Sequence, residues 1–341
     1  MLTYPWTDNP AAGTLIPVAP GVSWLRMPLP FALDHINLWV VEDGDGVALI
    51  DTGVATPDTR ALWESLFTGP LAGRSVTRVF CTHFHPDHMG LAGWLCDRFG
   101  CELWATLGEW TFGMMLSLDQ TPEFTERQVD FYRPLGFTPD QLEKVRARRN
   151  PYAPRVAALP RRISRLTDDQ TLWIGENLWQ VIVGRGHSPE HACLYCPALD
   201  VLISGDQVLP RISPNISVWP QEPDADPLAL FTESLRILRH QVPDSALVLP
   251  SHGRPFHGLH ARIDDLLAHH ADRLHVCEEA CADRPHTAME LVPVLFNRAL
   301  DDHQTYFALG EVLAHLHFLI GQDRIDRLTA EDGTYRYYAV R

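Results

Sequence analysis

The nine residues Thr82-His83-Phe84-His85-Pro86-Asp87-His88-Met89-Gly90 restrict the folds open to this chain more than any other stretch. Three histidines and an aspartate fall within six positions, with a proline among them and a glycine at the end. The apolar run "VTRVFC" leads in as a strand, and "MGLAGWLCDRFG", stopped by Gly100, leads out as a helix. Functional groups gather in such passages because the loop lies at the strand's carboxyl end, on one edge of a sheet. Imidazole and carboxylate are also the donors that hold zinc-type ions, at about 2 Å. His83 and His85 alternate along an extended segment and can converge on one ion. Asp87 and His88, past Pro86 and at a helix start, project elsewhere and could serve a second. A histidine-rich surface loop is the plain alternative, so the reading turns on partners elsewhere in the chain.

Those partners stand in order at later strand ends. His187 closes "LWQVIVGRGH", Asp206 follows "DVLISG", and His252 follows "ALVLPS". Taken singly, each is an ordinary turn. Four strand ends that each deliver a His or Asp beside glycine are a different matter, because a layered fold brings such ends to one edge.

The rest of the chain reads as mixed α/β. "GVSWLRMP", "HINLWVVED" and "GVALIDTG" have the composition of consecutive strands, and a helix is expected from Pro57 to Phe67. Residues from about 107 to 162 break the rhythm with three helical stretches and a proline-rich exit, a helical insertion between two strand-rich halves. Its Trp110, Phe112, Met114 and Met115 form either a small core of the insertion's own or a lid over a site. Strands resume in "QTLWIG", "LWQVIVGRGH", "HACLYCP" and "DVLISGD", and a helix is expected near residues 226 to 240. From residue 259, three helical stretches and a hairpin around Glu331 to Gly333 suggest a small winged-helix unit. The expected division is therefore a mixed α/β part over 1–258, with the helical insertion at about 107–162, and a carboxyl-terminal unit over 259–341.

Composition narrows the partners. A formal net charge of −15 argues against a broad nucleic-acid-binding face, although bases concentrate between Arg127 and Arg165. Seven cysteines, odd in number and irregularly spaced, point to a reducing compartment rather than a disulfide framework. Cys193 and Cys196 form a CxxC, but on a strand they face opposite sides. Cys277 and Cys281 share a helix face as two small buried side chains. No apolar run approaches the roughly 18 residues of a membrane span, and the first residues lack a signal core. No membrane partner and a cytoplasmic location are expected.

With these residues in place the sequence resembles the metallo-β-lactamase-fold hydrolases. The match runs through Asp-Thr-Gly at Asp51, the HxHxDH run at His83, His85, Asp87 and His88, then His187, Asp206 and His252. The resemblance implies an αββα sandwich carrying two divalent metal ions, zinc first, with iron or manganese as alternatives. His83, His85 and His187 would hold one ion, Asp87, His88 and His252 the other, and Asp206 would bridge them. It casts Asp51 as an outer group that orients a ligand or its loop. His191, in "GHSPEHA", is either a similar outer partner or structural. The carboxyl-terminal unit is similar to that of a β-lactamase-like subgroup, the β-lactamase-like protein 2 type, that includes animal single-strand endoribonucleases and bacterial hydrolases. Residues 259 to 341 carry more acids than bases, however, and read as a structural cap or a homodimerisation element.

The chemistry implied is hydrolysis by a hydroxide shared between two ions, with Asp87 or Asp206 handling its proton. A small ester, thioester or lactone, of the kind taken by thioesterases, lactonases or glyoxalase-II-like enzymes, is the expected substrate. The insertion's apolar residues and arginines suit an acyl chain on an anionic group, or else the arginines lie on solvated helix faces. The segment after Asp206 makes Asn215 and Trp219 candidate substrate-lining residues beside Trp110 and Met114. The competing readings are an endoribonuclease with the same metals, a mononuclear iron sulfur-dioxygenase and a non-catalytic, metal-stabilised interaction protein.

Overall fold

Strands with two buried faces build the centre of the molecule. The computed structural model describes residues 1–31 and 33–340. A seven-stranded sheet runs β1 (Leu15–Ala19), β2 (Val22–Pro28), β3 (His35–Asp43), β4 (Gly46–Ile50), β5 (Val76–Phe80), β6 (Glu102–Thr106), β7 (Ser164–Leu166) in spatial order. The first four strands are antiparallel, and β4 to β7 are parallel. Parallel neighbours need long crossovers. These are α1 (Pro57–Thr68), then α2 (Pro86–Met89) with α3 (Ala92–Phe99), and finally α4 (Leu107–Leu118), α5 (Pro122–Tyr132) and α6 (Pro139–Arg148). The helical insertion is thus the enlarged crossover between β6 and β7.

A second sheet pairs β8 (Thr171–Ile174), β9 (Asn177–Gly184), β10 (His191–Cys196) and β11 (Val201–Gly205) antiparallel. Helix α7 (Pro227–Gln241) then returns the chain to β12 (Leu247–Pro250), parallel to β11. Side-chain period two decides the layers. In β3, Ile36, Leu38 and Val40 face the outer helices, while Trp39 and Val41 enter the core between the sheets. In β10, Cys193 and Tyr195 face outward, and Ala192, Leu194 and Cys196 meet the other sheet. The two cysteines of the CxxC are therefore split between cores, as strand alternation requires. Helices cover both outer faces, which makes the expected αββα sandwich.

The end of the chain adds α8 (Leu259–Asp283), α9 (Ala288–Leu295), α10 (Asp302–Gly321) and the hairpin β13 (Ile325–Thr329) and β14 (Tyr335–Ala339). Phe231 and Leu235 of α7, Ile263 of α8 and Val312 of α10 share one continuous core with Leu202 and Val248 of the second sheet. The terminal helices therefore pack on the sandwich rather than hang from it. Among the described residues no helix is long and apolar enough to cross a membrane.

Two features differ from expectation. β1, β6 and β7 have short, weakly patterned sequences, "LIPVA", "ELWAT" and "SRL", and are held as strands by pairing rather than by propensity. The insertion also has no core of its own. Helix α4 follows β6 without a loop and lays Trp110, Phe112 and Met114 on the outer core of the first sheet. Val129, Tyr132, Leu142 and Val145 of α5 and α6 join the core of the terminal helices instead. Tyr132 stacks 4.9 Å from Phe137 and 5.4 Å from Tyr306 of α10. Tyr132→Ala should therefore destabilise the whole protein by about 3 kcal/mol, with a single transition in urea unfolding followed by fluorescence and circular dichroism; a separate early transition would show an insertion that folds alone.

Candidate metal centre

The carboxyl ends of β4, β5, β9, β11 and β12 deliver Asp51, the His83 to His88 loop, His187, Asp206 and His252 to one edge of the sandwich. His83 Nε2 lies 2.8 Å from His85 Nδ1 and 3.3 Å from His187 Nε2. His187 Nε2 is 3.5 Å from Asp206 Oδ2. On the other side His88 Nε2 stands 3.6 Å from both Asp87 Oδ2 and Asp206 Oδ1. His252 Nε2 is 3.4 Å from Asp87 Oδ2 and 3.5 Å from Asp206 Oδ1. The donors form two adjacent groups, His83, His85, His187 and Asp206, and Asp87, His88 and His252. Asp206 turns one oxygen to each side.

These spacings test whether the residues suit metal ions. Two donors each about 2 Å from a shared tetrahedral ion stand roughly 3.4 Å apart, whereas hydrogen-bonded pairs close to about 2.9 Å. The contacts among His88, His252, Asp87 and Asp206 match the first spacing, while His83 and His85, at 2.8 Å, stand at the second. His88 Nε2 and Asp206 Oδ1 are buried without any hydrogen-bond partner, an expensive state unless another group takes up their lone pairs. Burial, reinforced by neighbouring imidazoles, holds His83 well below the usual histidine range, and burial with His187 brings His85 down to about 3. Both are therefore neutral and able to ligate. Burial also opposes charge on His88 and His252, yet the surrounding carboxylates overcome it. Asp51, Asp87 and Asp206 raise His88 well above its ordinary value, and Asp206 leads in raising His252 to about 10. The field at this edge favours cations, and the donor set fits divalent ions.

Three of the imidazoles are fixed by their other nitrogen, as metal ligands require, while His85 Nε2 is buried without a partner. His88 Nδ1 donates to Asp51 Oδ2 at 2.8 Å, His187 Nδ1 to the Asn215 carbonyl at 2.8 Å, and His252 Nδ1 to the His35 carbonyl at 2.8 Å. Asp51 adopts a left-handed backbone (φ 63°), and its carboxylate also accepts the Thr82 N–H at 2.8 Å. That ties the end of β4 to the first residue of the His-rich loop. His191 lies beneath the centre and accepts the Asp206 N–H at Nε2, 3.0 Å away. Its ring occupies the space a side chain at Gly205 would need, since a Cβ there would stand 2.4 Å from it. Only glycine allows that approach at a φ of 52°.

The remaining candidates are spread out. Trp219 brings its ring within 6.2 Å of His85 and 6.4 Å of Phe84. Asn215 serves His187 through its carbonyl, while its side-chain oxygen accepts from Ser217. Trp110 donates its indole N–H to the Pro160 carbonyl and, with Met114, packs on the first sheet's outer core.

Two supporting residues escaped the sequence reading. Glu109, fully buried at the start of α4, accepts the Phe84 N–H at 2.8 Å through one oxygen, and the Ser188 hydroxyl at 2.7 Å and the Glu190 N–H through the other. It clamps the two ligand loops together, and burial pushes its carboxyl up to about 7. Asn37 of β3 donates to the Pro250 and Gly253 carbonyls on either side of His252. A lone acid in the apolar "LGEWTFGMM" and a lone amide in "HINLWVV" were the available signals.

Comparison with known proteins follows the same outline. Residues 32–252 match the metallo-β-lactamase superfamily, and residues 274–340 match the metallo-β-lactamase-like C-terminal domain. The chain belongs to the metallo-β-lactamase superfamily. A β-lactamase domain protein from Burkholderia ambifaria superposes with a TM-score of 0.92 at 46% identity, covering 99% of this chain and 98% of that one. A metallo-β-lactamase family protein from Thermus thermophilus gives 0.78 at 29% identity, covering 94% and 99%. An atrochrysone carboxyl ACP thioesterase from Aspergillus fumigatus is 24% identical over 71% of this chain and 43% of its own length, so the match spans less than half of that relative. A protein of the same name from Paecilomyces divaricatus is 24% identical over 89% of this chain and 77% of its own.

Asp51 is the outer partner whose removal should be felt most at the His88 side. Asp51→Asn is expected to weaken zinc binding there by about 10- to 100-fold, measured by competition with a chromophoric chelator; unchanged affinity would show that the His88 to Asp51 contact serves folding alone.

Proposed function

We propose that the chain is a dinuclear metal-dependent hydrolase acting on the carbonyl of a small acyl substrate, most specifically an anionic thioester. The observation that carries this reading is the division of the donors into two adjacent groups, with Asp206 of the first group also turning an oxygen to His88 and His252 of the second. His83, His85 and His187 would hold one ion, Asp87, His88 and His252 the other, and Asp206 both. When bound, two such ions supply water acidified toward neutral pH and a Lewis-acid seat for a carbonyl oxygen. Zinc is the first choice, because imidazole nitrogens and carboxylate oxygens are donors that suit it.

The chain's own residues supply positioning and proton handling. Asp87, whose Oδ2 faces His252 and His88, takes the nucleophile's proton at a carboxylate oxygen and returns it to the leaving group. Asp206 is the second acceptor in the same position. Phe84 and Trp219, packed on one another beside His85, form an apolar wall that keeps bulk water from one side of the reacting carbonyl. No serine nucleophile is required. The choice of thioester is supported by the two fungal relatives named as carboxyl ACP thioesterases. The excess of acids over bases in residues 259–341 weighs against RNA.

A substrate panel separates the classes. The metal-loaded protein should hydrolyse an acyl-coenzyme A or a lactone, and His83→Ala should lower kcat/KM at least about 100-fold. Cleavage of a short single-stranded RNA that His83→Ala abolishes, with thioesters and lactones untouched, would replace this reading with that of a nuclease.

A further inference from the structure

The stretch between Asp206 and Trp219 carries the Asn215 carbonyl that orients His187, yet it belongs to no helix or strand. Among the described residues, 208–217 make no hydrogen bond from backbone to backbone. Pro210 and Pro214 have no N–H to offer at all. Buried backbone of this kind needs partners from elsewhere in the fold. Ser204 of β11 holds only its first residue, donating a hydroxyl to the Val208 carbonyl at 2.9 Å. Beyond that point the carboxyl-terminal helices take over.

Arg262 of α8 is buried, and it donates from Nε to the Leu209 carbonyl at 2.6 Å and from Nη2 to the Ile212 carbonyl at 2.8 Å. Among the described residues no carboxylate lies within ion-pair distance of it, so these oxygens meet its charge. The guanidinium is a rigid planar fork, which fixes the two carbonyls relative to one another and to α8. A second tie lies one residue on. Burial keeps His270 and His315 neutral, bringing them down to about 2 and about 4. His315 Nδ1 faces the Glu311 carbonyl at 2.7 Å and must donate to it. Its Nε2 therefore accepts from His270 Nδ1 at 3.2 Å, which leaves His270 Nε2 to accept from the Ser213 hydroxyl at 3.4 Å. Helix α10 completes the support: the Phe307 carbonyl accepts from the Asn215 side chain at 3.4 Å, and Arg273 of α8 pairs with Glu311 of α10 at 2.9 Å.

We propose that Arg262 is a positioning residue of the metal centre, which through the Leu209 and Ile212 carbonyls fixes the Asn215 carbonyl and with it the ring of His187. This rests on the dinuclear reading and assigns the carboxyl-terminal unit to one of the two ions, that of His83, His85 and His187. The other side is held independently of α8 and α10. Asp51 fixes His88, and the His35 carbonyl with Asn37 fixes His252 and its neighbours. Asp206 itself ends β11 and is anchored by its N–H to His191. Without the fork of Arg262 the segment loses its only ties at Leu209 and Ile212, and His187 Nδ1 loses a fixed acceptor.

The test places Arg262→Gln in two backgrounds and measures zinc affinity by competition with a chromophoric chelator. In His252→Ala, which keeps the His83, His85 and His187 group, the substitution should weaken zinc binding about 10-fold or more. In His187→Ala, which keeps the other group, it should change nothing. Arg239→Gln, which cuts an exposed ion pair to Asp264 of the same helix, should leave both affinities as they were. Arg262→Lys keeps the charge without the fork; it should show a smaller loss on the same side, and it takes over the test if Arg262→Gln fails to fold. Equal losses in the two backgrounds, or none in His252→Ala, would overturn the positioning role. Should the wild type bind a single zinc ion, the dinuclear reading falls and the role is judged on that ion: a loss with Arg262→Gln and none with Arg239→Gln supports it, and equal effects overturn it.

Discussion

Three carboxylates, Asp51, Asp87 and Asp206, and five imidazoles, His83, His85, His88, His187 and His252, are gathered at one edge, all of them buried except His85 and Asp87, which are partly open to solvent. Buried charges and unsatisfied nitrogens are costly, so such a cluster survives only where each group has a partner and the residual field is balanced. The outer nitrogens of His88, His187 and His252 are satisfied by Asp51, Asn215 and His35, each from a different part of the fold. The inner atoms are left for cations. The two sheets bring their strand ends to one edge, and Glu109 and Asn37 then lock the loops there.

That arrangement also explains why the molecule is larger than the sandwich. Helices α5 and α6 of the insertion are packed into the same core as α7 and the terminal helices. The segment carrying Asn215 and Trp219 is pressed against α10, where Val218 donates to the Gly310 carbonyl. A side chain at Gly310 would collide with Ser217, which marks how close that approach is. The terminal unit thus backs the loop that orients His187. It acts on the centre as a buttress, whatever else it binds.

Much of this was legible in the sequence because the donors announce themselves. Glycine beside His or Asp at four strand ends picked out the ligand candidates, their match to a known family pattern implied the layered fold, and strand alternation separated Cys193 from Cys196. Short strands such as β6 and β7 were invisible, since three to five residues held by pairing carry little pattern of their own. The role of the insertion's apolar residues was left open between a private core and a lid, because Trp110 and Met114 look the same in a private core as on a neighbouring sheet, where the fold packs them. Glu109 was missed for a related reason: its importance lies in three donors from residues 84, 188 and 190, which only the fold brings together. Asn215 was singled out for its side chain and proved to matter to His187 through its carbonyl.

The central claim is that the seven ligating residues make two metal positions rather than one. Metal content per chain, measured by mass spectrometry on protein loaded with zinc and freed of excess, tests it directly when the wild type is set beside His187→Ala and His252→Ala. The account predicts two ions in the wild type and one in each variant, lost from opposite sides. A single ion in the wild type, or a variant that retains both, would contradict it.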